Sequence, residues 1–459
     1  MSGAAVALAR AEGPADADTL ASALGRLAEA LGWGDAASPL GRVVRPGARV
    51  LVKPNWVMHA NRGPWGTAPL VTSPALVQAV TRAVLRAMPG RVVVGDAPLQ
   101  ECDLAALLAA GRLDAWAFRL AATDPRFAGL ADFRRTTCVM RDGVRVEREA
   151  ARPLEDFVLF DLGRDSLLDP VTSTRAPFRV TQYDPRHLAA THGPGRHRYL
   201  VAREVLDADV IVNLPKLKTH LKAGLTGALK NLIGINGNKE YLPHHRLGGA
   251  AAGGDCYPGR SSVKRALEWA HDRGNEAGGV AARRFWRDVA RVLDRARRAR
   301  GDRLGVEGSW AGNDTIWRTC LDLNRILLHG RADGTLAERV QRRVVHVVDA
   351  VVAGHGDGPL APQPLALGLL VGGHAAPAVD WVAARLLGYD PRAVPLTREA
   401  FRPFRWPLAT FAAEDVRVTG DLGEGAPEGV LGWPPLPVRH PVGWRAVSLA
   451  SVAAPARMA

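Results

Sequence analysis

The hydrophobic pattern of the first 120 residues alternates between helical and strand-like segments. Leucines spaced three or four residues apart between Asp16 and Trp33 predict an amphipathic helix, and the apolar run ending at Lys53 predicts a buried strand. A helix that opens at Pro74 and a second strand over residues 91–94 follow. A strand, a helix and a strand in this order predict a parallel unit with a right-handed crossover.

The same alternation returns after residue 200. Further strands are expected over 210–212, 343–352 and 365–371, and further helices over 261–271, 279–300, 313–328 and 376–387. The chain is therefore predicted to be α/β, with a mainly parallel sheet flanked by helices, a loose β-containing insertion and an irregular C-terminal segment. The predicted regions are an N-terminal α/β region (1–120), an insertion or small subdomain (121–200), an α/β region with the central Lys/His motif (201–400) and a C-terminal wrapping segment (401–459).

Composition and charge narrow the class of protein. The 459 residues are 47% hydrophobic and 23% charged, which is ordinary for a globular chain. The formal charge of +14 comes from arginines spread along the chain without a basic tail, so a nucleic-acid-binding protein is the weaker interpretation. No apolar run reaches the roughly 20 residues of a membrane span, and no basic segment precedes the first short one. We expect a cytoplasmic protein without membrane contact.

The cysteines exclude one class of cofactor. Cys102, Cys138, Cys256 and Cys320 lie far apart and form no CxxC pair. This spacing argues against a cysteine-ligated iron–sulfur cluster and fits a reducing compartment.

The stretch over 209–259 carries most of the candidate chemistry. After a short buried strand, Lys216, Lys218, His220 and Lys222 recur at every second residue. In an extended chain these four side chains point the same way. The stretch therefore predicts a row of positive groups along one face of a strand.

A helix is expected directly after this row, and it adds Thr226, Lys230 and Asn231 to the same place. No acidic residue lies between Asp209 and Glu240. Because backbone N–H groups at a helix N-terminus attract negative charge, the lysines, the histidine and the helix start together predict an anion site.

Lysine is rare enough in this chain to be informative. Only seven lysines are present, and five of them fall within 216–239. Since lysine and arginine are not interchangeable at specific sites, lysine here marks places that need a compact charge or a titratable amine. Lys53 with Asn55, and Asp96, follow the two N-terminal strands, where open α/β sheets place ligand contacts. A glycine-rich loop with His355 and Asp357 follows a later strand.

These motifs resemble one family. The runs Pro215-Lys216-Leu217-Lys218-Thr219-His220 and Thr226-Gly227-Ala228-Leu229-Lys230-Asn231-Leu232-Ile233-Gly234 are similar to the domain of unknown function 362 family of bacterial, archaeal and plastid proteins. The resemblance extends from about residue 50 to about residue 390. Some members carry ferredoxin-like cysteine clusters and are named iron–sulfur proteins; this chain lacks those cysteines, so the resemblance does not imply that cofactor here.

The leading hypothesis is an enzyme that acts on an anionic small molecule, either phosphorylated, nucleotide-linked or carboxylate. The expected catalytic residues are His220, Lys218, Lys222 and Asp96, with His220 moving a proton and a desolvated lysine serving as base or imine-forming amine. The expected substrate-binding residues are Lys53, Asn55, Lys216, Thr226, Lys230, Asn231, Lys239, His355 and Asp357.

Two alternatives and one metal site stay open at this stage. The chain is alternatively a non-catalytic cofactor-binding or redox accessory protein, or else a nucleic-acid binder. His244, His245 and Asp255 are candidate ligands for a divalent metal, although adjacent histidines on a loop are not a specific ligand spacing. The sequence leaves the cofactor, the reaction class and the oligomeric state undetermined.

Overall fold

A central mixed sheet organises the fold. The computed structural model describes residues 3–13, 15–141, 144–150, 152–432 and 437–449. Helices lie on both faces of the sheet, and three smaller sheets stand outside it. The predicted α/β class with a mainly parallel sheet is confirmed.

The strands lie mostly in the first half of the chain and include one long hairpin near residue 360. They are β1 (Ala5–Arg10), β2 (Arg49–Lys53), β3 (Arg91–Asp96), β4 (Phe127–Asp132), β5 (Thr136–Arg141), β6 (Val144–Glu149), β7 (Phe157–Asp161), β8 (Phe178–Arg179), β9 (His192–Gly193), β10 (Arg196–Ala202), β11 (Val210–Asn213), β12 (Lys216–His220), β13 (Gly224–Thr226), β14 (His245–Arg246), β15 (Arg343–Asp357), β16 (Ala361–Gly373) and β17 (Arg417–Gly420).

The α-helices range from a single turn to twenty residues. They are α1 (Ala17–Ala30), α2 (Pro74–Arg86), α3 (Leu104–Ala110), α4 (Leu113–Thr123), α5 (Pro185–Thr191), α6 (Arg203–Asp207), α7 (Ala228–Asn231), α8 (Ser262–Glu276), α9 (Val280–Ala299), α10 (Ile316–His329), α11 (Ala376–Leu386), α12 (Pro395–Glu399) and α13 (Pro427–Val430). Within the described ranges, no helix is both long and apolar enough to cross a bilayer.

The strand order of the main sheet is β17-β1-β16-β15-β11-β2-β3-β4. Along this order β16 runs antiparallel to its neighbours β1 and β15, and the other neighbouring pairs are parallel. The carboxyl ends of β2, β3 and β11 therefore meet at one edge, where open α/β sheets bind their ligands.

Alternation along the strands explains why both faces are covered. Val50 and Val52 of β2 pack into the core beneath α1 and α2, whereas Leu51 packs into the core on the opposite face. A strand presents successive side chains to opposite faces, so a strand that is apolar throughout must be buried on both sides. The short apolar runs seen in the sequence are this kind of strand.

Several predicted elements end elsewhere than expected. The sequence also predicts one helix over 104–118. The structure divides it into α3 and α4 at Gly111 and Arg112, and Arg112 has the left-handed φ of +53°. Strand β4 pairs with β3 at the edge of the main sheet, so residues 127–132 lie in that sheet rather than in the expected insertion. The insertion itself holds the β5–β6 hairpin and the β7-β10-β9 sheet.

The glycine-rich segment after residue 353 is not a loop. Gly354, His355 and Gly356 belong to β15, which forms a long hairpin with β16. A Cβ added at Gly354 would lie 2.8 Å from the Cβ of Lys218 and 2.7 Å from the oxygen of Pro69. The glycine thus makes room for strand β12, and the expected thin loop over a ligand is wrong.

The C-terminal segment contacts the main sheet and the central stretch. Strand β17 adds to the edge of the sheet beside β1. The indole of Trp444 is buried and donates a hydrogen bond to the carbonyl of Leu221 at 2.6 Å. This contact fixes the turn between β12 and β13 from outside.

Candidate functional site

The candidate site lies in a large cleft at the carboxyl ends of the parallel strands. After β11 the chain turns at Leu214 and Pro215 and continues as β12, which pairs with β15 beyond the end of β11. Strand β13 folds back on β12, and α7 follows it. The row of lysines and His220 is thereby held over the sheet edge on regular backbone.

Lys53 forms a buried ion pair in the floor of this region. Its Nζ lies 2.7 Å from Oδ1 of Asp96, and both side chains are almost wholly buried. Asp96 also accepts hydrogen bonds from the backbone N–H groups of Trp56 (2.7 Å) and Ala97 (2.9 Å). Gly234 lies over the pair, because a Cβ there would meet Oδ1 of Asp96 at 1.9 Å. Lys53 and Asp96 are therefore bonded to each other and to the backbone.

Lys216 forms a second buried ion pair. Its Nζ lies 2.7 Å from Oδ2 of Asp349, which also accepts from the backbone N–H of Ser73 at 2.8 Å. Neither Lys53 nor Lys216 lines the cleft. The direct substrate contacts expected of these two lysines have no support in their positions, since each is neutralised by a carboxylate.

Lys218 enters the cleft with no carboxylate partner among the described residues. Its ammonium donates to Oδ1 of Asn55 at 2.9 Å and to the carbonyl of Leu70. Burial, with the nearby charges of Lys216 and Lys230, holds the pKa of Lys218 well below its usual value. This is the environment in which a lysine acts as an unprotonated amine.

A chain of side-chain amides orients the Lys218 contact. Asn55 donates to Oδ1 of Asn231 at 2.8 Å, and Asn231 donates to Oδ1 of Asn213 at 2.7 Å. Asn213 then donates to the carbonyl of Ala228 at 3.0 Å. Each amide oxygen accepts from the preceding group, so the direction of every amide is fixed.

His220 is held in one tautomer. Its Nδ1 accepts hydrogen bonds from the backbone N–H groups of Lys222 (3.0 Å) and Ala223 (3.2 Å), so the proton resides on Nε2. Burial, and after it the charge of Lys230, holds the pKa of His220 well below its usual value. The neutral ring therefore presents an N–H donor to the cleft that it lines.

Lys222, Thr226 and Lys230 line the cleft with unused polar groups. Within the described part of the chain, neither ammonium forms a hydrogen bond or ion pair, and the buried hydroxyl of Thr226 has no hydrogen-bond partner. Burial lowers the pKa of Lys230, and the charges of Lys222 and Lys53 lower it further. The cleft is thus lined by three hydrogen-bond donors that have no acceptor among the described residues.

Lys239 lies beside these residues, and its ammonium is satisfied by backbone. It donates to the carbonyls of Ile233 (2.9 Å) and Asn236 (3.3 Å). Burial lowers the pKa of Lys239 to about 7. Its charge therefore changes near neutral pH.

The N-terminus of α7 is occupied by the protein's own carboxylate, so its backbone N–H groups do not contribute to the expected anion site. Asp380 of α11 accepts from the backbone N–H groups of Ala228 (2.5 Å) and Leu229 (3.0 Å). Gly227 allows this approach, because a Cβ there would lie 2.1 Å from Oδ1 of Asp380. The helix itself has four residues and begins later than expected, since 224–226 form β13.

The three candidate metal ligands do not come together. His244 lines the cleft, and its Nδ1 donates to the carbonyl of Leu242 at 2.7 Å. Asp255 is bonded elsewhere, to the hydroxyl of Thr315 at 2.6 Å and to backbone N–H groups. His245 instead lies next to Cys256, which follows Asp255 in the sequence, and Glu268, which the site prediction did not include.

His355 and Asp357 lie apart from the lysines. Nδ1 of His355 accepts from the backbone N–H of Arg439 in the C-terminal segment at 3.1 Å. Asp357 is exposed at the cleft margin, and His355 does not line the cleft. The substrate contact expected of His355 has no support in this placement.

The cleft has a volume of about 1390 Å³, and its outer wall comes from segments that the site prediction missed. Arg283, Arg287 and Arg291 of α9 line it, together with Trp286 and Tyr183. The arginine spacing of one helical turn was visible in the sequence and favoured a solvated face. What the spacing could not show is that this face turns toward the cleft.

Part of the chain matches a known family, and one curated protein is similar over most of its length. Residues 171–385 match the family model described as domain of unknown function (DUF362), which confirms the resemblance inferred from the central motif over this segment. A thylakoid-associated protein of Synechocystis is 24% identical over 380 residues, covering 83% of this chain and 74% of that protein.

A crystal structure of a Thermotoga maritima protein shares 12% sequence identity with the chain and aligns with a TM-score of 0.34. The alignment covers 81% of this chain, and the chain spans 58% of that protein's length.

Proposed function

We propose that this protein with a DUF362 domain is an enzyme acting on an anionic small molecule, whose negative group binds between Lys222 and Lys230. One observation carries the proposal. These two ammonium groups line the cleft without an acidic partner among the described residues, whereas Lys53 and Lys216 each have one. The hydroxyl of Thr226, also without a partner, supplies a further donor.

The energetics favour an anion at this place. A buried cation without a counter-charge is unfavourable, and the depressed pKa of Lys230 expresses that cost. A bound phosphate or carboxylate would supply the missing negative charge and accept hydrogen bonds from the ammonium groups and from Thr226.

Lys218 and His220 are the groups we assign to proton transfer. The depressed pKa of Lys218 favours a neutral amine, the form that abstracts a proton or attacks a carbonyl. The neutral ring of His220 offers its Nε2–H as a donor to a developing negative charge. In this assignment Lys218 is the base and His220 stabilises the product of the transfer, rather than acting as the shuttle first expected.

The size of the cleft supports a substrate with a second part beyond its anionic group. Its volume of about 1390 Å³ exceeds the roughly 300–1,000 Å³ of ordinary small-molecule pockets. The outer wall combines Arg287 and Arg291 with Trp286. Arginines and an aromatic ring suit a nucleotide-linked metabolite better than a small carboxylate.

The first experiment measures binding. Thermal shift and titration calorimetry with sulfate, pyrophosphate and ATP compare the wild type with Lys222→Met and Lys230→Met. We expect each substitution to weaken anion binding by about 10- to 100-fold, as the loss of one charged hydrogen bond implies. Arg119→Met is the matched control, because Arg119 is exposed on α4 outside the cleft and its loss changes the net charge equally.

The second experiment separates binding from chemistry. A ligand found in the screen is incubated with wild type and with Lys218→Met, and its conversion is followed by mass spectrometry. We expect Lys218→Met to lower kcat by about 10²- to 10⁴-fold, as loss of a general base does. Unchanged anion affinity in both Lys222→Met and Lys230→Met would contradict the binding site. Full turnover by Lys218→Met would contradict only its catalytic role.

A further inference from the structure

A second cluster of chemically active side chains lies away from the proposed substrate site. His245, Cys256 and Glu268 each offer a ligand atom, and these atoms all lie within 4.8 Å of one another. Their exposed fractions are 2%, 1% and 5%. Among the described residues, this is the group of His, Cys, Asp or Glu that closes in this way.

The three residues come from three different kinds of local structure. His245 opens the two-residue strand β14, which pairs with β8. Cys256 lies in the loop after β14, and Glu268 is in the middle of α8. The cluster therefore joins a strand, a loop and a helix, of which the loop and the helix also share a small apolar core.

His245 is unsatisfied in this arrangement. Neither of its ring nitrogens hydrogen-bonds to a residue that the structure describes, and its Nδ1 is fully enclosed. Buried polar groups normally have a partner, so an isolated imidazole beside a thiol and a carboxylate calls for an explanation. A metal ion supplies one, because neutral imidazole nitrogen is among the commonest metal ligands.

The carboxylate already has the supporting contacts of a ligand. Glu268 accepts from the backbone N–H of Gly248 at 2.8 Å and from the hydroxyl of Tyr257 at 3.3 Å. Such outer contacts orient ligating carboxylates in known metal sites. Burial and the charge of Glu268 raise the pKa of the Cys256 thiol. A bound cation would lower this pKa again, because it stabilises the thiolate.

We propose that His245, Cys256 and Glu268 bind one zinc ion that has a structural role. Nitrogen, sulfur and oxygen donors together suit zinc better than magnesium or calcium, which prefer oxygen alone. Zinc is usually four-coordinate, so a water molecule would complete the set. On binding, the Cys256 thiol loses its proton to solvent and a sulfur–zinc bond forms, with no change of oxidation state.

The structural role follows from position. None of the three side chains lines the cleft, so the metal would not contact substrate. Leu267, Ala270 and His271 on the same helix α8 do line it. By fixing α8 to the loop after β14, the metal would hold this wall of the cleft in place. The inference rests on the cluster alone and stands whether or not the proposed enzyme activity is found.

The test begins with the full chain purified without a metal-binding tag. Elemental analysis should find one zinc per chain. Removing zinc with a strong chelator should lower the melting temperature, and adding zinc chloride should restore it. Cobalt(II) in place of zinc should give the near-ultraviolet charge-transfer band of a thiolate ligand. Zinc-free protein whose melting temperature is unaffected by added zinc would overturn the proposal, leaving a thiol hydrogen-bonded to Glu268.

Variants assign the ligands. Cys256→Ser should lose the cobalt band and most of the zinc, and Glu268→Gln should weaken zinc binding while keeping an acceptor for Gly248. Cys320→Ser is the matched control, because Cys320 is also a fully buried thiol but lies on α10 outside the cluster. A cobalt band that persists in folded Cys256→Ser, or full zinc content in Glu268→Gln, would overturn the site. Circular dichroism establishes folding in each case.

Discussion

The buried lysines differ in whether a carboxylate balances their charge. Lys53 and Lys216 face carboxylates at 2.7 Å, whereas Lys218, Lys230 and Lys239 have no acidic partner among the described residues. The concentration of lysine in 216–239 was visible in the sequence. The pairings were not, because Asp349 lies more than a hundred positions from Lys216 and only the parallel pairing of β12 with β15 brings them together.

Lys239 gives a prediction about stability and pH. Its folded pKa of about 7 lies below the usual value of 10.5, so between these values the unfolded chain binds a proton that the folded chain does not. Stability should therefore rise with pH above 7, by up to about 1.4 kcal/mol per pH unit from this group. In Lys239→Met the difference in unfolding free energy between pH 7 and pH 9 should fall by about 1 to 3 kcal/mol, as measured by urea denaturation.

The matched variant is Lys239→Arg, which keeps a cation at every pH. It should lose the same pH-dependent gain and should also be less stable than wild type at pH 9. If Lys239→Met showed the wild-type rise between the two pH values, Lys239 would not be the titrating group.

The short helix α7 shows how an element can be recognised and its role misjudged. Its apolar residues and its preceding glycines were apparent in the sequence, and so was the place of Asp380 on a later helix. Asp380 supplies the negative charge at the N-terminus of α7 only because α11 packs against α7. A helix N-terminus predicts an anion, and here the anion is part of the chain.

Gly227 provides a test of this contact. In Gly227→Ala the added Cβ would lie 2.1 Å from Oδ1 of Asp380, so the carboxylate must withdraw from the two N–H groups it caps. Loss of these bonds in a buried place should cost about 2–4 kcal/mol of unfolding free energy, as measured by denaturation. Gly279→Ala is the control, because Gly279 also precedes a helix and its added Cβ would contact nothing within 4 Å. Equal losses in the two variants would contradict a specific role for Asp380.

The fold as a whole was more predictable than the site. Apolar runs such as 50–52 and 210–212 are characteristic of strands buried on both faces. They predicted the α/β class and the edge of the sheet at which the candidate residues lie. The hairpin of β15 and β16 was predicted as two strands with a loop, because glycines at 354 and 356 are uncommon inside strands. The cleft wall from α8 and α9 was missed, since periodicity shows which face of a helix is polar but not what it faces.

Anion binding should couple to proton uptake in the intact protein. Burial lowers the pKa of Lys230 and a bound anion would raise it, so binding takes up protons and affinity falls as pH rises through the lowered pKa. Titration calorimetry with sulfate, which does not titrate in this range, measures the uptake from the difference between two buffers of unlike ionisation enthalpy. Lys230→Arg should bind sulfate without this contribution, because arginine stays charged. Proton release on binding, or an unchanged uptake in Lys230→Arg, would show that the anion does not bind at Lys230.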